Sequence, residues 1–236
     1  MKYMWSIAKK EFASYFNSPI AYIVISVFLL INGWFFFQQF FLVGQATLRG
    51  LFSTMPILYM FFAPAITMRL IAEERKTGTL ELLVTLPLRN WDIVVGKFLA
   101  GLALLLLATF LTLPYAITVG LVGELDWGPV IGGYLGLTLL GAGYVALGTF
   151  CSALTRNQIV AFIIGLALCF VVYMFDKVLF YAPAFMASFL EYLSIDYHFS
   201  NIARGVIDTR DLVYYASFVT MFLMFSVYAL DSERLK

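Results

Sequence analysis

The chain has 236 residues, of which 62% are hydrophobic and 12% charged, and its formal net charge is +1. Soluble domains carry about a quarter charged residues, so this composition excludes a soluble globular protein and predicts an all-α integral membrane protein. The near-neutral charge balance gives no reason to expect a nucleic-acid partner.

The first predicted element is an amphipathic helix at residues 3–17. Apolar side chains such as Met4 and Ile7 share one helical face, and Asn17-Ser18-Pro19 ends the element. This pattern is typical of a helix that lies in the membrane interface. Its candidate interface residues are Trp5, Lys9, Lys10 and Phe12.

Six later stretches contain no Asp, Glu, Lys or Arg, and the shortest has 19 residues. A helix of that length rises about 28 Å, close to the hydrocarbon thickness of a bilayer, and a charge at mid-membrane costs about 3 kcal/mol. The sequence therefore predicts one transmembrane domain with six spans. They lie near residues 20–41, 53–71, 97–121, 130–152, 158–177 and 211–230.

The distribution of basic residues predicts the orientation. With the N-terminus inside, eleven Lys and Arg residues fall on the cytoplasmic side and four fall outside. The four outside are Arg49, Lys177, Arg204 and Arg210. By the positive-inside rule both termini are expected in the cytoplasm.

The segment between the second and third spans is unusually charged. Residues 73–76 are expected to continue the second span by about a turn, with Glu73 and Lys76 one turn apart. Gly78 and Pro87 then bracket a short amphipathic helix at 78–87, and Asn90 is expected to cap the third span. The apolar face of the short helix either lies on the membrane surface or docks into the groove of a soluble partner.

The connection at residues 178–210 is predicted to be external. It is apolar but too short to span and contains Pro183, which favours a pair of interfacial or re-entrant helices. Asp208 or Thr209 is expected to cap the sixth span. His198 and Arg204 are candidates to line an exit.

Motifs for catalysis and for nucleotide or metal binding are missing from the sequence. No P-loop, H-E-x-x-H or G-x-S-x-G occurs, and Cys151 and Cys169 both lie in apolar segments. The glycines of the fourth span favour close helix packing, with a dimer face as a further possibility. A secondary transporter usually buries ionisable groups at mid-membrane, and the predicted spans hold none there, so any energy for uphill transport is expected from outside the chain.

Two stretches carry a family resemblance. EERKTGTLELLVTLPLRNWDIVVGKF and the external FSNIARGVIDTRDLVYY resemble permease subunits of ABC-2 type transporters, and within that family the gliding-motility-associated and copper-enzyme-maturation permeases. The resemblance implies a membrane subunit of an ATP-driven exporter or extruder in the bacterial inner membrane. It leaves open a subunit that anchors or transmits force to an assembly or motility machine without transport.

The resemblance also implies the partners. Such permeases pair as dimers, of one permease or of two homologous ones, with two copies of a separate ATPase that binds ATP and Mg, so this chain needs no cofactor and is not an enzyme. The substrate path follows the dimer interface along the first, second and fifth spans. The external hairpin, with His198, Arg204, Asp208 and Arg210, is a candidate contact for an accessory membrane protein with a periplasmic domain.

The most specific implication of the resemblance is a coupling helix at 78–87 that lies in a groove of the ATPase, with the helix at 3–17 bracing the ATPase alongside. The residues implied in coupling are Glu73, Glu74, Arg75, Gly78, Thr79, Leu80, Glu81, Leu82, Leu83 and Pro87.

Overall fold

The computed structural model describes residues 2–43, 47–79, 89–179, 183 and 190–234, and these residues form α-helices without a strand. The helices are α1 (Lys2–Asn17), α2 (Ile20–Val43), α3 (Arg49–Thr67), α4 (Ala72–Thr77), α5 (Asn90–Phe110), α6 (Leu113–Val122), α7 (Trp127–Leu154), α8 (Gln158–Leu179), α9 (Ile195–Ala203) and α10 (Thr209–Arg234).

Six helical stretches are long and apolar enough to cross a membrane, which confirms the predicted number of spans. Spans 1, 4, 5 and 6 are single helices that lie within α2, α7, α8 and α10. Span 2 joins α3 to the short extension α4, and span 3 joins α5 to α6. Two of the six spans are therefore interrupted.

The interruption in span 3 falls at Leu111 and Thr112, in the second half of a span that the sequence predicted as continuous. Pro114 lies in the first turn of α6 and has no N–H to donate to a continuous helix. The Thr112 hydroxyl donates to the Thr109 carbonyl at 2.6 Å and lies 3.0 Å from the Tyr134 hydroxyl of span 4. The buried Thr112 hydroxyl thus replaces part of the backbone hydrogen bonding that the interruption removes, and it connects the interruption to span 4.

Span 4 is the central helix, and its glycines are the reason that other helices approach it closely. A Cβ atom on Gly148 would overlap Thr67 of span 2, and one on Gly133 would overlap the ring of Phe52. A Cβ on Gly136 would lie 3.0 Å from Phe199 of α9. The prediction of close packing is confirmed, but helices of the same chain cover these three glycines, so they do not form a dimer face.

The N-terminal helix α1 packs against the beginning of span 3. A Cβ atom on Gly96 would lie 2.9 Å from both the Met4 carbonyl and the Ile7 side chain. Tyr15 is buried, and its hydroxyl donates to the Ile66 carbonyl of span 2 at 2.9 Å. The apolar face that the sequence assigned to the membrane interface therefore lies partly against the protein.

Helix α9 runs along span 4. Ser194 begins it by accepting the N–H of Tyr197 at 3.1 Å. A Cβ atom on Gly143 would lie 3.0 Å from Ile195, whereas one on Gly205, just after α9, would lie 3.3 Å from Gly128. Gly143 comes 16 residues after the first residue of α7, about 24 Å along its axis. Helix α9 thus begins beside the middle of span 4 and returns to the end at which span 4 starts.

Gly132→Ala should weaken the docking of α9, because the new Cβ would overlap the backbone carbonyl of Ile202 and lie 3.0 Å from the Cα of Gly205. Overpacking of this kind costs about 1–3 kcal/mol. Thermal unfolding of the detergent-purified protein measures the loss. Gly120→Ala is the control, because its Cβ would have no neighbour closer than 3.6 Å. Equal unfolding temperatures for the two variants would contradict the contact.

Candidate functional site

Lys97 connects three elements at the predicted cytoplasmic end. It lies in the second turn of α5 and is 1% exposed. Its ammonium nitrogen lies 3.0 Å from Glu11 Oε1 of α1 and 2.8 Å from Glu74 Oε1 of the extension α4. Because a buried lysine needs compensating charge, this bridge joins α1, α4 and span 3.

Glu73 and Glu74 have different partners, although they are neighbours in sequence. Glu74 pairs with Lys97, whereas Glu73 Oε2 lies 3.0 Å from Nε of Arg69, one turn earlier. The expected contact between Glu73 and Lys76 is replaced by this pair, and the Lys76 side chain is exposed. Glu73 thus joins the extension to the turn that precedes it, and Glu74 joins it to span 3.

Ser152 of span 4 stabilises the break between α3 and α4 by hydrogen bonds. Its hydroxyl oxygen accepts the N–H groups of Ile71 and Ala72 at 3.0 and 3.1 Å and donates to the Met68 carbonyl at 3.1 Å. Ser152 is fully buried, so water cannot take its place. One side chain thus satisfies the backbone groups that the interruption of span 2 frees.

Span 6 joins the same site through its last turns. The Arg75 guanidinium donates to the Ala229 carbonyl at 3.3 Å, and the Asn90 amide donates to Asp231 Oδ1. The expectation that Asn90 caps span 3 is wrong. Asn90 is the first helical residue, Arg89 precedes it as the N-cap without a side-chain bond, and the Asn90 side chain reaches span 6 instead.

The helix break predicted at Gly78 is present. Gly78 ends α4 with φ of 73°, in the left-handed region that favours glycine, and the Thr79 hydroxyl lies 2.9 Å from that of Thr77. The other coupling residues named above, Leu80, Glu81, Leu82, Leu83 and Pro87, lie outside the described residues.

A cleft of about 280 Å³ separates α1 from the extension. Lys10, Glu11, Glu74, Thr79 and Lys97 all line it. Of the four predicted interface residues of α1, Trp5, Lys9 and Lys10 are exposed and Phe12 is half-buried. The site therefore offers an exposed face of α1 beside the start of the predicted coupling segment.

The external hairpin residues do not form one cluster. His198 is buried, its Nδ1 lies 2.6 Å from Asp211 Oδ1 of span 6, and its ring stacks on Tyr214 at 4.0 Å between centroids. Arg204 is exposed at the end of α9. His198 thus fastens α9 to span 6, whereas Arg204 lines a cleft.

The remaining hairpin candidates lie at the start of span 6. Asp208 accepts the Arg210 N–H at 2.9 Å, which confirms the predicted cap, and the Arg210 side chain is exposed. Sequence reasoning missed the partners of both Lys97 and His198. The sequence showed a single lysine or histidine beside an apolar stretch, and this pattern does not indicate which residue is its partner.

Both cysteines are buried and free, and burial in the interior of the bundle leaves them as packing residues. In the ranges that the structure describes, no group of three His, Cys, Asp or Glu residues is suited to hold a metal ion.

Comparison with known proteins identifies the family. A model of the ABC-2 family transporter proteins matches residues 5–230, nearly the whole chain. The chain belongs to this family. It is also 30% identical over 118 residues to a protein named probable ABC transporter permease protein NosY of Pseudomonas aeruginosa. That match covers 47% of this chain and 43% of the relative, so less than half of the relative's length is spanned.

The predicted family is confirmed, whereas neither match refers to gliding motility, which stays a prediction. Permeases of the ABC-2 family are membrane subunits without ATPase activity and without a cofactor of their own, and ATP is bound by a separate ATPase subunit. Lys97, Glu11, Glu74 and the side chains around them form the charged end of this permease.

Lys97→Met should lower the free energy of unfolding by about 3 kcal/mol, because it leaves the charges of Glu11 and Glu74 without their partner in a poorly hydrated site. Unfolding of the purified protein measures this loss. Lys76→Met, which changes an exposed lysine of the same segment, should stay within about 0.5 kcal/mol of the parent.

A triple variant tests the cause of that loss. Adding Glu11→Gln and Glu74→Gln to Lys97→Met removes all three charges and should recover part of the stability. If Lys97→Met alone is as stable as Lys76→Met, the bridge does not hold the three elements together.

Proposed function

We propose that this chain is the membrane subunit of an ATP-driven exporter or extruder, and that a separate ATPase drives it through the coupling segment 78–87. Family membership supports the subunit type. The observation that carries the coupling role is the Lys97 bridge, because it joins the extension immediately before that segment to α1 and span 3.

A force applied at Gly78 has three separate routes into the membrane domain. Glu74 passes it to span 3 and α1 through Lys97, and Arg75 passes it to span 6 through the Ala229 carbonyl. The backbone at Ile71 passes it to span 4 through Ser152. Ion pairs shielded from water resist separation more strongly than exposed ones, so the extension and the spans are expected to move together.

Other features of the structure and the sequence support the remaining parts of the proposal. Spans 1, 5 and 6 bury few of their apolar side chains within this chain, which supports contact with lipid and with a second permease in a dimer that binds two ATPases. The exposed face of α1 would brace each ATPase. The course of α9 beside the middle of span 4 supports a re-entrant external hairpin, to which an accessory protein would bind. The excess of basic residues at the charged end supports an inner-membrane protein with both termini in the cytoplasm.

Three substitutions in the coupling segment test the role directly: Glu81→Lys, Leu83→Asp and Pro87→Leu. Each should leave membrane insertion intact and reduce the permease-stimulated ATPase rate about tenfold or more, because the segment loses the charge, the apolar face or the stop that docking needs. The measurements are copurification with the ATPase and its rate in proteoliposomes. Arg156→Gln, an exposed residue in the turn between spans 4 and 5, is the control.

If all three variants copurify with the ATPase and stimulate it as the parent does, the segment is not the coupling element. Stimulated ATP hydrolysis without movement of any solute across the vesicle membrane would instead favour a subunit that transmits force or anchors a machine.

A further inference from the structure

A second cleft lies at the opposite end of the molecule from Lys97, where spans 2, 4 and 5 meet helix α9. Its volume is about 520 Å³, within the range of small-ligand sites. Its inner part is apolar and includes Phe52, Pro56 and Phe199, all buried. Its outer part carries the basic residues Arg49, Lys177 and Arg204.

The acidic residues of this cleft already have a partner. Lys177 Nζ lies 2.8 Å from Asp176 and 3.2 Å from Asp196. Burial raises the pKa of the Asp196 carboxyl, and the charge of Lys177 opposes that rise. Lys177 therefore serves the two aspartates and is not available to an outside anion.

Arg49 and Arg204 are in a different situation. Both line the cleft and are exposed, and neither has an acidic group within 4.0 Å among the residues that the structure describes. The five charged residues of the lining, three basic and two acidic, sum to +1. The cleft thus offers two guanidinium groups above an apolar floor.

The ends of three spans line the mouth of the cleft and indicate the level at which it opens. Arg49 is the first residue of α3, Pro129 is in the first turn of α7, and Lys177 is in the last turn of α8. Span ends lie at the level of the lipid head groups, and apolar side chains one or two turns further in lie at the level of the first acyl carbons.

We propose that this cleft binds an amphiphile with a phosphate head group, which Arg49 and Arg204 hold while its apolar part lies against Phe52, Pro56 and Phe199. Guanidinium groups match phosphate oxygens in charge and geometry. A water-soluble anion would gain nothing from the apolar floor, and an acidic protein segment would be expected to bind a flatter and wider surface.

The proposal does not depend on coupling to an ATPase, because binding can be measured on the permease alone. Native mass spectrometry of the detergent-purified protein counts bound molecules during titration with short-chain phosphatidylglycerol, short-chain phosphatidylcholine or glycerol phosphate. Thermal unfolding with the same ligands gives an independent affinity. The three probes separate an anionic lipid, a zwitterionic lipid and a free head group.

Two variants address the site. Arg49→Gln with Arg204→Gln removes both guanidinium groups, and Ser53→Trp fills the cleft from an exposed lining residue without changing an arginine. Arg210→Gln is the matched control, because it removes an exposed basic residue at the same end that does not line the cleft. The unfolding temperature without ligand checks that each variant is folded.

We expect the affinity for phosphatidylglycerol to fall about tenfold in the double variant and in Ser53→Trp, and to be unchanged in Arg210→Gln. Glycerol phosphate should bind more weakly than phosphatidylglycerol, and the double variant should weaken it too. An unchanged affinity in the double variant, or an equal loss in Arg210→Gln, overturns the proposal. Tighter binding of glycerol phosphate than of phosphatidylglycerol also overturns the proposal. The same holds if an oligo-glutamate peptide displaces phosphatidylglycerol from the parent protein but not from the Arg210→Gln variant.

Discussion

Inside a bilayer every backbone N–H and C=O group needs a partner within the protein, and span 2 is interrupted where it reaches the charged end. The hydroxyl of Ser152 satisfies that interruption by accepting the N–H groups of Ile71 and Ala72 and donating to the Met68 carbonyl. Because all three groups belong to span 2 and Ser152 to span 4, the direction in which α4 leaves the membrane is set by span 4. This hydroxyl therefore contributes, with the Arg69–Glu73 pair and the Arg75 bond to Ala229, to the position of Glu74 and of the Lys97 bridge.

The Lys97 bridge then selects one arrangement of its three elements. A buried ammonium group is costly unless charge and hydrogen bonds compensate it, and each of the two carboxylates comes from a different helix. Sliding α1 along span 3 by one turn would move Glu11 about 5 Å away from Lys97, and the close approach of Gly96 to the Met4 carbonyl would be lost as well. Packing and charge thus specify the same register of α1.

Sequence alone predicted those features whose cause is local. The lengths of the charge-free stretches predicted the six spans. Glycine favours the left-handed conformation, and Gly78 predicted the break that ends α4. The acid before the start of span 6 predicted the cap at Asp208. Pairings between distant residues were missed, because a helical pattern shows which face is apolar but not what covers it. Glu11 and Lys97 are 86 residues apart, and Asn90 looked like a cap because Asp231 lies on another span.

Spans 2 and 4 each contribute residues to both ends of the molecule, so these two helices connect the two ends. Span 2 carries Arg49 and Phe52 at the cleft beside α9 and Glu74 at the Lys97 bridge. Span 4 carries Pro129 at the cleft and Ser152 at the interruption. Under the proposed coupling, a displacement of α4 therefore reaches the cleft through these two helices. Pro56 and Pro64 each remove a backbone hydrogen bond from span 2 between its ends, so span 2 is expected to bend more easily than span 4. The angle between spans 2 and 4, and with it the width of the cleft beside α9, is the quantity that such a displacement would change.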